Sequence, residues 1–227
     1  MGSGYYPAAV TPVADEVVWT IVVAGGGGRR YGGAKQYEPL GKRRVLDLAV
    51  EAAQRASDGV VVVVPPDDVA TEGGVAGGAT RSESVRNGLA AVPHRATIVC
   101  VHDAARPLAS TELFTAVVAA VCAGADAAVP AIPVTDTIKV VDADGAVVAT
   151  PDRATLVAVQ TPQAFRAGRL REVHVAGAEG TDDAALVEAA GGRVVTVPGE
   201  RWNAKITDPD DLERSRQWLA RRRAAAR

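Results

Sequence analysis

The sequence predicts an α/β fold: a Rossmann-like, mainly parallel twisted sheet with helices on both faces, plus a protruding β-hairpin. Three observations predict it. From Val17 onward, short Val/Ile-rich runs alternate with Ala/Leu/Arg segments of helical length, which is the rhythm of βαβ units. The strand runs are apolar almost throughout, as expected where both faces of a parallel sheet are covered. A Gly-rich stretch directly follows the first run, at the strand end where such folds place their ligands.

Strands are expected at Val17–Val23, Gly59–Val64, Thr97–His102, Ala127–Ile132 and Arg193–Val197. Helices are expected between and after them, at about Val45–Ala56, Ser82–Ala91, Thr111–Ala123, Ala167–Ala176 and Asp183–Ala190. A last helix runs from Pro209 to about Arg223: Asp208 serves as N-cap, proline takes the favoured first position, and Asp210 and Asp211 complement the helix dipole. One segment breaks the rhythm. Thr137–Val141 and Ala146–Thr150 flank Asp142-Ala143-Asp144-Gly145, a hairpin pattern inside an α/β chain. A two-stranded hairpin is marginal alone in water, so this one packs either on its own domain or on a second subunit.

With 227 residues and no internal repeat, low-complexity linker or domain boundary, residues 1–227 read as one domain, with an arm at about 136–153 and a loose N-terminal stretch of about 1–16. The 25 basic residues nearly cancel the 27 acidic ones, so no global field favours a nucleic acid or an anionic membrane, and any attraction for anions is local. No apolar run approaches the roughly 18 residues of a membrane span, and the N-terminus lacks a basic region followed by an apolar core. A cytoplasmic protein is expected. Cys100 and Cys122 sit in apolar runs, where small buried thiols are the ordinary reading, and a disulfide framework is excluded. The basic tail, from Arg214 to Arg227, suits a helix C-terminus; without a groove-reading motif or aromatic platform it carries no nucleic-acid reading.

Three segments carry residues suited to chemistry. The first strand runs into Ala24-Gly25-Gly26-Gly27-Gly28-Arg29-Arg30-Tyr31-Gly32-Gly33-Ala34-Lys35-Gln36. Such a turn lets backbone N–H groups approach phosphate oxygens, and cations in the same loop neutralise them. The dinucleotide fingerprint does not fit, because Arg30 or Tyr31 stands where its last glycine is needed; a P-loop begun at Gly28 ends in Ala34-Lys35 instead of Lys followed by Ser or Thr. A structural turn is the competing reading, and the cations ending in Lys35 favour the phosphate. The second segment, His102-Asp103-Ala104-Ala105-Arg106-Pro107, ends a strand on the same edge of the sheet. Asp103 and Arg106 either pair with each other or face a ligand. In the third, Gly77-Gly78-Ala79-Thr80-Arg81-Ser82-Glu83-Ser84-Val85, N-capping accounts for the serines, whereas a nucleotide at the helix N-terminus accounts for the glycines as well. The histidines, His94, His102 and His174, form no triad or metal-spaced cluster; His102 reads as a satisfied strand-end residue.

Together with Asp136-Thr137-Ile138-Lys139, Thr161-Pro162-Gln163, Thr181-Asp182-Asp183-Ala184 and Asn203-Ala204-Lys205-Ile206-Thr207-Asp208-Pro209, these segments occur in an order that resembles the 2-C-methyl-D-erythritol 4-phosphate cytidylyltransferases from about Ile21 to Leu219. The Gly-rich loop is common to many nucleotidyltransferases; the strings around Asp103 and Lys205 are the specific ones. The resemblance implies transfer of CMP from CTP to 2-C-methyl-D-erythritol 4-phosphate, with release of pyrophosphate, in non-mevalonate isoprenoid biosynthesis. A divalent cation such as Mg2+ is implied, held mainly through the CTP phosphates. An attacking phosphate monoester is already anionic at neutral pH, so the reaction needs no protein nucleophile; it needs two repelling phosphates held together and charge stabilised at the α-phosphorus.

By position, Arg30 and Lys35 match the pair that stabilises the transition state, and Lys205 and Arg153 match residues that position the acceptor phosphate. Ala24, Gly25, Gly26, Gly78 and Ser84 match the cytidine surface, read largely through backbone, in keeping with only 4% aromatic residues. Asp103, Arg106, Thr137 and Thr161 match the acceptor site. The hairpin matches an arm that interlocks with a second subunit in a homodimer and delivers Thr137 and Arg153 across the interface. The chain departs from the pattern in a stretch from Arg30 to Lys35 two residues short, which leaves Arg29 as a second candidate, in Ala79 where an acidic residue is usual, and in a short Val64–Gly77 segment. A cytidylyltransferase for another polyol phosphate, such as ribitol 5-phosphate, shares most of these motifs. A non-catalytic nucleotide-binding module is the alternative of another class, opposed by the retention of Lys35, Arg153 and Lys205.

Overall fold

The computed structural model describes residues 16–26, 31–175 and 177–225. Strand β1 (Val18–Val23) leads through the Gly-rich loop to a small antiparallel pair, β2 (Pro39–Leu40) and β3 (Arg43–Arg44), and then to helix α1 (Val45–Ala56) and β4 (Gly59–Val64). A short α2 (Val69–Glu72) and β5 (Val75–Ala76) precede α3 (Arg81–Ala91) and β6 (Ile98–Asp103). Next come α4 (Thr111–Cys122), β7 (Ala127–Pro133) and the arm strands β8 (Val140–Val141) and β9 (Val147–Ala149). The chain returns through β10 (Val157–Val159) and β11 (Gln163–Arg166) to α5 (Ala167–Val173), α6 (Asp183–Ala189), β12 (Val194–Pro198) and α7 (Pro209–Ala225).

In the central sheet β1 lies between β4 and β6, parallel to both, with β5 parallel to β4 at the edge. On the other side β11 runs antiparallel between β6 and the start of β7; β10 pairs antiparallel with the end of β7, which is also parallel to β12. The sheet is therefore mixed and mostly parallel. Successive strand residues face opposite ways, and both sides are filled. Ile21, Val99 and Val101 pack with Leu89, Leu170 and Val187 on one side. Val22, Ile98 and Cys100 pack with Leu46, Phe114 and Val117 on the other. A smaller cluster of Leu40, Val45, Ile206 and Leu212 fastens α7 and the segment before it to the β2–β3 pair.

The expected elements recur, and the short β2, β3, α2 and β5 are additional. The antiparallel β10 and β11 are additional too: β10 is apolar but only three residues long, and the four residues of β11 include only Ala164 and Phe165 as apolar marks. The arm strands are shorter than Thr137–Val141 and Ala146–Thr150, with a register shift between Val140 and Val141; their turn is held by Asp142 Oδ1, which accepts from the N–H of Asp144 and of Ala146. Helix α5 stops at Val173, with His174 as its C-cap, short of the expected Ala176, which lies outside the described residues. Cys100 is buried as expected, but Cys122 is only partly so. Asp208 Oδ1 accepts from the N–H of Asp211 at 2.9 Å, which confirms the cap of α7.

Candidate active site

Register builds the site. Val23 is paired with Val63 on one side and Asp103 on the other, so the loop leaving β1 begins beside the last residue of β6. This is the point where chain order reverses across the sheet, the expected ligand position. The segment after β5 closes in from the other side, with Gly77 N donating to Val64 O at 2.8 Å. A Cβ on Gly77 would come within 3.1 Å of Ser84 Oγ and 3.3 Å of Gly25 Cα, so glycine lets these two loops touch. At Gly78 a Cβ would stand 2.2 Å from Glu83 Cγ. Thr80, not a serine, caps α3; Ser84 Oγ instead accepts from Gly78 N at 3.0 Å and contacts Thr80 O at 2.9 Å.

Between these loops lies a cavity of about 340 Å³ lined by Ala24, Gly25, Gly26, Lys35, Gly78 and Ser84. Arg106, Thr161, Gln163 and Asp182 line a second, of about 240 Å³. Arg81, Asp103 and Lys205 line both and so form the wall where the cavities meet. Lys35 Nζ donates to Ile206 O at 2.7 Å, and Ile206, fully buried, is bonded back to Ala105 O at 2.8 Å. That anchor places the Lys205 segment against the end of β6.

Asp103 does not pair with Arg106. Its Oδ1 accepts from Arg81 Nε at 3.2 Å and its Oδ2 from Lys205 Nζ at 2.6 Å. Burial alone would raise the Asp103 carboxyl, but the Arg81 and Lys205 charges outweigh it and hold the group well below the usual carboxylate range. Burial lowers the Arg106 pKa; its guanidinium donates to the carbonyls of Asn203 at 2.7 Å and Val159 at 3.3 Å, while Nε is buried without a partner. Gln163 donates to Asp182 Oδ2 at 2.8 Å and leaves its own Oε1 unpartnered. Two orphaned polar groups beside the second cavity suit a ligand rich in oxygen. His102 is the satisfied strand-end residue expected: Nδ1 meets Thr161 Oγ1 at 3.1 Å, Nε2 meets Arg106 O at 3.2 Å, and burial lowers its pKa to about 4.

Of the residues singled out in the sequence, Arg29 and Arg30 lie outside the described residues. The nucleotide-side set and Lys35 converge on the first cavity, and Asp103, Arg106, Thr161 and Lys205 on the second. Thr137 and Arg153 stand apart, exposed on and beside the arm, with Arg153 Nη1 on Thr135 O at 3.0 Å. Sequence reasoning gave no role to Arg81, Gln163 or Asp182. Arg81 had one signal, a cation in the first turn of a helix, where the dipole disfavours it.

The family model for 2-C-methyl-D-erythritol 4-phosphate cytidylyltransferase (IspD) matches residues 18–221. The chain belongs to this family. Among its curated relatives, the enzyme of that name from Frankia casuarinae is 45% identical over 239 aligned positions, which cover 97% of this chain and 86% of the relative. The one from Nocardia farcinica is 44% identical, covering 92% and 97%. The crystal structure of the cytidylyltransferase from Thermus thermophilus superposes with a TM-score of 0.76 at 35% identity, covering 88% of this chain and 98% of that one. A bifunctional IspD/IspF enzyme from Anaeromyxobacter dehalogenans is also 45% identical, but the chain spans 58% of its length. As a family member, this α/β protein is a nucleotidyltransferase, the cytidylyltransferase of the non-mevalonate isoprenoid route.

Proposed function

We propose that the two cavities divide the reaction between them, the first taking CTP and the second 2-C-methyl-D-erythritol 4-phosphate. An oxygen of the acceptor phosphate bonds to the α-phosphorus as the bond from that phosphorus to the bridging oxygen breaks, and pyrophosphate leaves. The observation that carries the reading is the shared wall: Lys205 stands where the cavities meet, and Lys35 lines the nucleotide side. Among the described residues no histidine or cysteine lines either cavity, which suits an acceptor that is itself the nucleophile. Backbone at Ala24, Gly25, Gly26 and Gly78 together with Ser84 reads the cytidine, while Lys35 faces the charge that develops at the α-phosphorus, a task that the family resemblance assigns to Arg30 as well. Asp103, Arg106 and Thr161 receive the acceptor.

Magnesium enters this reading with the nucleotide. Among the described residues no group of three or more His, Cys, Asp or Glu side chains is arranged to hold a metal, and Asp103, the carboxylate of the first cavity, has both oxygens engaged. The triphosphate therefore supplies most of the ion's ligands, and the ion supplies charge neutralisation when bound. The arm presents Val140, Val141, Val147 and Val148 at 44–60% exposure, an apolar surface of the kind that marks an interface. A second copy of the chain covers it in the proposed homodimer and receives Thr137 and Arg153. No helix among the described residues is long and apolar enough to cross a membrane; the substrates are water-soluble, and the proposal places the enzyme, one nucleotidyltransferase domain, in the cytoplasm.

The test is product analysis with CTP, magnesium and a panel of polyol phosphates. Pyrophosphate and 4-diphosphocytidyl-2-C-methyl-D-erythritol are expected. Faster turnover of ribitol 5-phosphate would overturn the acceptor, and CTP binding without pyrophosphate release would overturn the reaction.

A further inference from the structure

Arg81 opens α3, where its charge meets the positive end of the helix dipole. Two carboxylates hold it there: Nε donates to Asp103 Oδ1 at 3.2 Å and Nη1 to Asp183 Oδ2 at 2.8 Å. Behind Asp183 lies the His174 ring, whose Nε2 meets Asp183 Oδ1 at 3.0 Å, with both side chains at most 1% exposed. Beyond Asp103 lies Lys205, 39% exposed. A continuous line of polar contacts thus runs from the end of α5 through the starts of α6 and α3 and the end of β6 to the amine at the mouth of both cavities.

We propose that Arg81 is a positioning residue for the transfer: backed by Asp183 and His174, it grips Asp103 from the side opposite Lys205 and so fixes where the Lys205 ammonium meets the acceptor phosphate. A lysine ammonium is a point charge on a flexible stem, so its anionic partner decides its place. A guanidinium is planar and its donors are fixed in a fork. Held by one nitrogen to Asp183 and by another to Asp103, it restrains rotation of the Asp103 carboxylate. It also neutralises that carboxylate, which would otherwise stand in the wall of a site for two polyanions and repel both. A lysine at position 81 keeps the charge but cannot reproduce the fork.

The inference rests on the reaction assigned above. Its test is steady-state kinetics with CTP and the acceptor varied separately, on the unaltered protein, Arg81→Lys, Asp183→Asn, Lys205→Ala and the double variant Arg81→Lys/Lys205→Ala. Loss of a charge-assisted contact that acts through Lys205 should lower kcat/KM for the acceptor in Arg81→Lys by about tenfold to hundredfold, with the KM for CTP changed less than about threefold. Asp183→Asn should fall in the same direction by about threefold to tenfold, and it carries the test should Arg81→Lys not fold. In the Lys205→Ala background, Arg81→Lys should cost less than about threefold more, because groups that act as a unit are not additive. Equal losses for both substrates, a loss confined to CTP, or full additivity would overturn the positioning role, as would normal kinetics in Arg81→Lys. An unaltered protein inactive toward 2-C-methyl-D-erythritol 4-phosphate would overturn the reaction assignment, and the inference with it.

Discussion

Acidification tests the buried ring of His102. The side chain is fully buried, with its ring 5.1 Å from that of Phe114. Its contacts fit the neutral form: Nε2–H donates to the Arg106 carbonyl, and Nδ1 accepts from the Thr161 hydroxyl, whose oxygen in turn accepts from the Asp103 N–H at 3.0 Å. A proton on Nδ1 would oblige the Thr161 hydroxyl to turn away and accept a second hydrogen bond, and would place a charge in a site closed to water. Burial lowers the pKa from 6.5 to about 4, with the Arg106 charge acting the same way and Asp103 opposing it. A lowered histidine pKa means that the unfolded chain takes up the proton first, so this contribution is intact above about pH 6.5 and is lost as the pH falls toward about 4. At about 1.36 kcal/mol per pH unit, the full loss is about 3 kcal/mol, and most of it is gone by about pH 4.5. Urea unfolding at pH 7 and 4.5, at one protein concentration, reads it out. The parent should lose about 2 to 3 kcal/mol more than His102→Gln, since the carboxylates common to both chains cancel to first order. Equal losses in the two proteins, or an imidazole NMR signal from His102 that titrates near 6.5, would refute the reasoning.

Lys35→Ala should lower turnover by on the order of a hundredfold, as removal of a transition-state charge partner does; near-normal turnover would take Lys35 out of the mechanism. Gly78→Ala should raise the KM for CTP by about tenfold, because a Cβ 2.2 Å from Glu83 Cγ displaces the Glu83 carboxylate that accepts from Ala79 N at the cavity rim; an unchanged KM would mean that this loop does not touch the nucleotide. If the arm delivers Arg153 across a dimer, mixing inactive Arg153→Ala and Lys35→Ala chains should restore part of the activity through hybrid dimers. No recovery after subunit exchange has been demonstrated by mass spectrometry would count against a shared site.

The strands that form the floor of the site were readable from sequence because each is buried on both faces. An apolar run such as Val60 to Val64 has no polar face to supply, and β1, β4, β6 and β7 lie within about a residue of their expected ends. Strands β10 and β11 were not readable: Gln163–Arg166 has only Ala164 and Phe165 as apolar marks, and its place between β6 and β7 is set by pairing with Val101 and Ala128 far along the chain. The same division holds in the site. Gly25, Gly78, Ser84, Asp103 and Lys205 lie in compact strings whose residue types announce a phosphate site, and register then brings the strings together. Arg81 meets Asp103 across 22 positions and Asp183 across 102. No local pattern records a contact of that kind. The pairing that local sequence suggests, Asp103 with Arg106, is close along the chain and absent in space.

That absence separates two electrostatic roles. Lys35, Arg81, Arg106 and Lys205 line the cavities against Asp103 and Asp182, so the site carries a surplus of positive charge inside a chain whose formal charge is −2. The surplus is not spread evenly. Lys205 and Arg81 are each closed on a carboxylate, which fixes their geometry but cancels much of their field at a distance. Arg106 is held by two backbone carbonyls and makes no ion pair among the described residues, so its charge, opposed by Asp103 only through space, is less compensated than theirs beside the second cavity. In the proposed reaction Arg106 therefore draws the acceptor phosphate in, and Lys205 sets where it stops. Salt should weaken the two variants differently. The KM for the acceptor should lose much of its ionic-strength dependence in Arg106→Gln, because the long-range attraction is gone. It should keep that dependence in Lys205→Gln, where kcat falls instead; the reverse pattern would exchange the two roles.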